Sequence, residues 1–250
     1  MSSLSRSRKL VNSNLKKGLI ITGIVTLILD LALVLLNLYF DNFSLGLVTG
    51  SGKNQLLSIF ALNILPFTIY FLTNSMIMIS ENLYIAINYS LTRKNFYKSM
   101  IINSIIISLI FSIVQGMLFK AEPLILSVFE KNSRDNFILF NSWTDNLIVI
   151  IGILFVMIFT FISLLNLIVS LNNKFGFKIW LIFVGIILIL ILVNKGLNIS
   201  FSPIMKSIES MMNISNRGYN LIAMGVVILI SNLINYFTIN SIKLEYDNRI

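Results

Sequence analysis

The chain contains no cysteine and no histidine. The first absence removes disulfides, thiol nucleophiles and thiolate metal sites, and the second removes the usual zinc ligand and any imidazole acid–base role. Only three prolines interrupt its 250 residues, and only ten side chains are acidic. No HExxH or GxSxG pattern occurs, and no two carboxylates lie close together within an apolar run, so a hydrolase or intramembrane protease has no candidate residues. Residues Thr49-Gly50-Ser51-Gly52-Lys53-Asn54 resemble the end of a phosphate-binding loop. They fail it because Leu47 stands where the first glycine belongs and Asn54 where a magnesium-binding Ser or Thr belongs. No enzyme is expected from this chain, and no bound cofactor or metal.

What is abundant is apolar. The sequence is 56% hydrophobic and 12% charged, which excludes an ordinary soluble domain. Six apolar stretches approach or exceed the ~20 residues that cross a bilayer core: 18–40, 56–80, 100–119, 147–171, 179–193 and 221–239. The fifth is short, but Lys178 and Lys195 bracket it and can snorkel to the interfaces. The expectation is an all-α membrane protein, one domain over 1–250 with six transmembrane helices. Residues 1–17 carry Leu4, Val11 and Leu15 among five basic side chains and read as a short amphipathic segment on the inner leaflet, with a basic tail as the other reading. Residues 194–220 read as an outer amphipathic segment whose helix starts at Ser202-Pro203, and a similar short helix is expected to open at Pro123 in the other outer loop.

Charge sets the direction. With the N-terminus inside, twelve of the 19 basic residues fall on inner segments and seven on outer ones, while acids favour the outside. Both termini are therefore expected in the cytoplasm. The net charge of +9 then reports topology and not a nucleic-acid surface.

Two features lie inside the apolar runs. Ser104, Ser108, Ser112 and Gly116 repeat every four residues, the spacing that lets membrane helices approach closely. Asp30 sits near the middle of the first run, where an ionised carboxylate costs at least ~2.5 kcal/mol. It should face protein or a wet cavity, either protonated or bonded to a buried amide such as Asn63, Asn74, Asn166 or Asn235. Asp30, Asn63 and Asn235 are candidates for lining a translocation path, with a purely structural role as the alternative for Asp30.

The break after the second run holds Ser90-Leu91-Thr92-Arg93-Lys94-Asn95-Phe96-Tyr97, a basic and aromatic octapeptide. One reading makes it an insert for a groove on a soluble partner, the rings filling a pocket while Arg93 and Lys94 meet its acids. The other makes it a loop whose charge fixes topology and whose rings sit in the membrane interface.

This octapeptide, its place and the span count resemble the permeases of type-two-class ABC exporters. Their inner loop after the second span reads small-x-[ST]-R-K-x-F-[FY], which Ser90, Thr92, Arg93, Lys94, Phe96 and Tyr97 fit. Glu81 matches an acid often found just inside that span, and Asn173-Lys174-Phe175-Gly176-Phe177-Lys178 resembles the family's basic-aromatic-glycine turn. The likeness covers the layout of the whole chain and is specific over only ~15 residues; the nearest images are bacterial permeases for peptide, bacteriocin or phenol-soluble modulin export. It implies an elbow helix at the N-terminus, short outer helices before the sixth span, and a second permease copy, identical or paralogous. It also implies a cytosolic ATPase holding ATP and magnesium, a peptide substrate, and a bacterial cell membrane location. Glu81 and residues 90–97 would couple the ATPase to the spans. The alternative expectation is a stand-alone multi-pass protein, either a secondary carrier or a bacteriocin-immunity protein. A carrier should show matching breaks in two halves, and Pro66 has no counterpart.

Overall fold

A computed structural model describes residues 18–32, 63–128, 137, 139–176, 178–179 and 217–242, which form an all-α bundle. Helix α1 is Gly18–Ala32. Helix α2, Ile64–Met76, runs through one π-helical stretch, Ile77–Asn82, into α3, Leu83–Asn88. Then come α4, Arg93–Val128, α5, Leu147–Phe175, and α6, Arg217–Ser241. Among the described residues four helices are long and apolar enough to cross a membrane: Ile64–Asn88, Arg93–Ile125, Leu147–Phe175 and Arg217–Ser241. Isoleucine and phenylalanine are only middling helix formers in water. A segment in lipid must satisfy its backbone hydrogen bonds internally, which makes helix the available solution for such runs.

Several boundaries differ from the sequence reading. The second span does not stop at 80 but continues as helix through Glu81 to Asn88, and the third begins at Arg93 instead of 100. Pro123 opens no new helix; it lies inside α4. Its ring removes one backbone donor, yet the helix continues to Val128. Pro66 falls in the first turn of α2, where a missing N–H is tolerated. Residues 217–220, expected in the outer segment, form the first turn of α6. The expected segment 1–17, most of 179–193 and the helix expected from Ser202 lie outside the described residues, so the six spans are described only in part.

Side-chain bonds give the helix directions. At one end Ser80 and Asn173 exchange hydrogen bonds, and Arg93 donates to the carbonyl of Asn240. At the other end Lys120 donates to the carbonyls of Trp143 and Asp145, both at 2.9 Å, and Arg217 pairs with Asp145 at 2.6 Å. Helix α4 therefore runs opposite to α2, α5 and α6. Between Lys98 and Lys120 α4 carries no charge, a rise of about 33 Å at ~1.5 Å per residue. That matches a ~30 Å hydrocarbon core, so the surplus turns of α4 stand beyond it.

The outside of the bundle is apolar, and its inside mixes apolar clusters with polar side chains. Isoleucine, leucine and valine cover the outer faces of every long helix, while serines and asparagines lie inside. Ser104, Ser108, Ser112 and Gly116 are buried on one face of α4. A Cβ on Gly116 would come 2.7 Å from Cγ1 of Ile151 and 3.7 Å from its backbone, so α5 uses the missing side chain to come close. The hydroxyls of Ser104 and Ser108 donate back to Met100 and Ser104 carbonyls, and Ser104 also accepts from Asn166 of α5 at 3.2 Å. Phe67, Tyr70, Phe71 and Phe111 form an aromatic cluster between α2 and α4.

Candidate functional site

The octapeptide proves to be a turn and a helix start. Helix α3 ends on paired bonds: Leu91 N–H donates to the Ala86 carbonyl and Ser90 N–H to that of Ile87. This is the Schellman arrangement, in which the residue at the Ser90 position adopts a left-handed conformation. Ser90 does so at φ 57, without the glycine that would make it free of strain. Leu91 and Ala86 are both buried in the same apolar cluster, the hydrophobic contact that accompanies the motif. Thr92 then caps α4, its Oγ1 accepting from Asn95 N–H at 3.3 Å and its carbonyl from Phe96 N–H at 3.0 Å. Ser90 and Thr92 thus have complete local roles as turn and cap residues.

The rings do not protrude. Because α4 starts at Arg93, positions 93, 96, 97 and 100 share a face, and that face points into the bundle. Phe96 is 0% and Tyr97 8% exposed, packed with Met100, Ile79, Leu83 and Ile239. The Tyr97 hydroxyl donates to the Asn232 carbonyl, and its ring meets Tyr236 edge-on with centroids 5.2 Å apart. The expectation that Phe96 and Tyr97 insert into a partner's groove is corrected here: Phe96 is buried in this chain's own apolar cluster and Tyr97 bonds to its α6. Arg93, half-buried, reaches the same helix through Asn240.

What does face outward at this end is a different set. Tyr89 at the turn is 70% exposed, with Tyr84, Glu81, Lys94 and Lys98 also exposed. Asn95 is half-buried. Glu81 lies within the π-helical stretch, an irregularity that often marks functional sites. The neighbouring α5 end adds Lys174, held over the Phe175 ring at 5.0 Å, before Gly176 turns the chain at φ 62. Tyr89 and Lys98 flank the octapeptide and lie just outside its pattern, so no motif residue marks them in the sequence.

Within the bundle the structure brings Asp30 and Asn63 together and leaves Asn235 elsewhere. Of the four amides considered for Asp30, Asn63 is the one bonded to it, its Nδ2 donating to Oδ2 at 3.3 Å and to Gln115 Oε1 at 3.5 Å. Gln115, two positions before Gly116, was not singled out in the sequence. Asn235 is buried in α6, and neither atom of its carboxamide has a partner among the described residues; the same holds for Asn103 of α4.

At the opposite end Asp145 ties three elements. Burial pushes its carboxyl up, but the Asn141 amide, the Arg217 guanidinium and the Lys120 ammonium outweigh this and hold it below the ordinary value of 3.8. Asn141 completes the clasp by accepting from Trp143 and Thr144 N–H, each at 2.8 Å. Among the described residues no group of three acids could hold a metal ion. No protein family matches the chain, and neither does any curated protein or solved structure.

Proposed function

We propose that the chain is the permease subunit of an ATP-driven exporter of amphipathic peptides, worked by a separate cytosolic ATPase. The chain is a multi-pass membrane protein by helix length and composition. The observation that carries the reading further is the doubly capped turn at residues 89–92. Its inner side is bonded to α6 through Arg93 and Tyr97, and its outer side displays Tyr89 and Lys94. A force on that outer side reaches α2, α4 and α6 together, which is what a rigid-body switch between inward and outward access requires. In this reading Tyr89 is the aromatic anchor and Lys94 with Lys98 face an acidic groove, while Phe96 and Tyr97 transmit the stroke within the chain. ATP and magnesium belong to the partner, and a second permease copy completes the path.

The test is purification of the full chain from its own cells in mild detergent, with ATP hydrolysis measured on the complex. A P-loop ATPase should co-purify with the wild type and be lost from Tyr89→Ala combined with Lys94→Glu, while the variant still folds. Truncating an interface anchor commonly costs ~2 kcal/mol, about thirtyfold in affinity. A wild-type chain that purifies without an ATPase, or a variant that retains it and its hydrolysis, would overturn the reading in favour of a stand-alone membrane protein.

A further inference from the structure

Asp30 and Asn63 meet where α1, α2 and α4 pack, and their bonding is incomplete in a specific way. Asp30 is 7% exposed and Asn63 0%. One carboxyl oxygen, Oδ2, accepts from the Asn63 Nδ2. The two oxygens left over, Asp30 Oδ1 and Asn63 Oδ1, are both buried without a partner among the described residues, and both are acceptors. Two acceptors cannot satisfy each other. Reversing the Asn63 carboxamide does not help, because Asp30 Oδ2 and Gln115 Oε1 would then both face its oxygen.

We infer that Asp30 is a buried proton-binding site, holding one proton from water on Oδ1 and donating it to Asn63 Oδ1. The pair then becomes a cyclic acid–amide couple: the amide N–H donates to one carboxyl oxygen while the carboxyl O–H donates to the amide oxygen. One proton removes the charge, supplies the donor the site needs, and occupies both orphaned oxygens. An alkali cation is the competing way to neutralise the group, but it needs a shell of oxygens, and Asn63 turns its nitrogen to Asp30.

Among the described residues the surroundings offer no counter-charge. Asp30 is the one charged residue of α1, and α2 carries none before Glu81, far along the same rod. On α4 the charges sit at its ends: Arg93, Lys94 and Lys98 at one, Lys120 and Glu122 at the other. Lys120 lies five positions beyond Gln115 and Glu122 two turns beyond it, and Glu122 is the nearest acid on that helix; Tyr70, two turns along α2 from Asn63, and Tyr97, near the start of α4, are the tyrosines on these two helices. The proton therefore makes α1 a neutral, polar-bonded partner of α2 and α4. Its removal would leave a bare carboxylate against two carboxamides. This inference does not depend on the exporter reading.

The test is infrared spectroscopy of the full chain reconstituted in lipid vesicles at neutral pH. A protonated carboxylic acid gives a carbonyl band well apart from the carboxylate bands, and the band shifts in heavy water and on carbon-13 labelling of aspartate. It should be present in the wild type, lost in Asp30→Asn, and kept in Glu122→Gln. Asp30→Asn retains both the donor and the acceptor of the acid, so its unfolding temperature should stay within a few degrees of wild type, whereas Asp30→Leu should fall clearly below it. The labelled wild-type spectrum stands by itself should a variant fail to fold. A wild type without an aspartic acid band would overturn the inference. So would stability that rises with added sodium or potassium and loses that response in Asp30→Asn, since a cation would then neutralise an ionised Asp30.

Discussion

Asp145 shows how one side chain can close an end of the bundle. It accepts from Arg217 at the head of α6 and from the Asn141 amide before α5, and its own carbonyl receives Lys120 of α4. Because its folded carboxyl is held below 3.8, the clasp contributes stability at pH values above the ordinary carboxylate value. That contribution is lost as pH falls from there through the lower folded value, since protonation removes the negative charge that Arg217 and Lys120 meet. The unfolding temperature of wild type should therefore exceed that of Asp145→Asn at neutral pH, and the gap should close on acidification. A gap that persists unchanged in acid would show that the carboxylate charge contributes nothing. Both partners are charged residues next to apolar runs, so their presence near an interface could be read from sequence. Their pairing could not, because 72 positions separate them.

At the scale of the element, the turn between α3 and α4 was legible in outline and misread in orientation. Ser90 and Thr92 announce a break, and helix capping explains why those residue types stand there. The facing of Phe96 and Tyr97 depends on where the helix begins, and a start at 100 instead of Arg93 left the rings in a loop. With Thr92 as the cap, Phe96, Met100, Ile107 and Phe111 fall on one apolar face. Two substitutions test this arrangement in thermal unfolding of the purified chain. Ser90→Gly removes the cost of a left-handed non-glycine residue, partly offset by a freer unfolded chain. It should stabilise by up to ~1 kcal/mol. Phe96→Ala should destabilise by ~3–5 kcal/mol, the usual cost of emptying a fully buried phenylalanine site. A neutral Phe96→Ala would mean that the ring is not packed in this apolar cluster.

The whole molecule is organised by lipid. Apolar side chains face outward, a seam of serine, asparagine and glutamine runs within, and charges collect at the two ends. Glu81, Arg93, Lys94, Lys98, Lys174 and Lys178 mark one end; Lys120, Glu122, Asp145 and Arg217 mark the other. The first set is mostly basic and the second balanced, so the first is expected to face the cytoplasm. The absence of cysteine makes this directly measurable. In intact cells an impermeant thiol reagent should label Trp143→Cys and leave Lys94→Cys unlabelled until the membrane is opened. The reverse pattern would invert the orientation and remove the turn at 89–92 from reach of any cytosolic ATPase. Helix α5 ends at the first of these ends and α6 begins at the second.

Composition and run length alone determined that this is a helical membrane protein, because lipid leaves an apolar stretch of ~20 residues little choice but to satisfy its own backbone. The four-residue rhythm of Ser104, Ser108, Ser112 and Gly116 likewise showed in the sequence, since small side chains at helical spacing have one geometric consequence. Tertiary structure decided what such local rules leave open. It set α5 against that stripe at Ile151, gave Asp30 to Asn63 and not to Asn235, and turned Tyr97 toward α6. In each case the partner lies on a separate helix, and helix rotation and depth follow from the packing of the whole bundle, which no local pattern encodes.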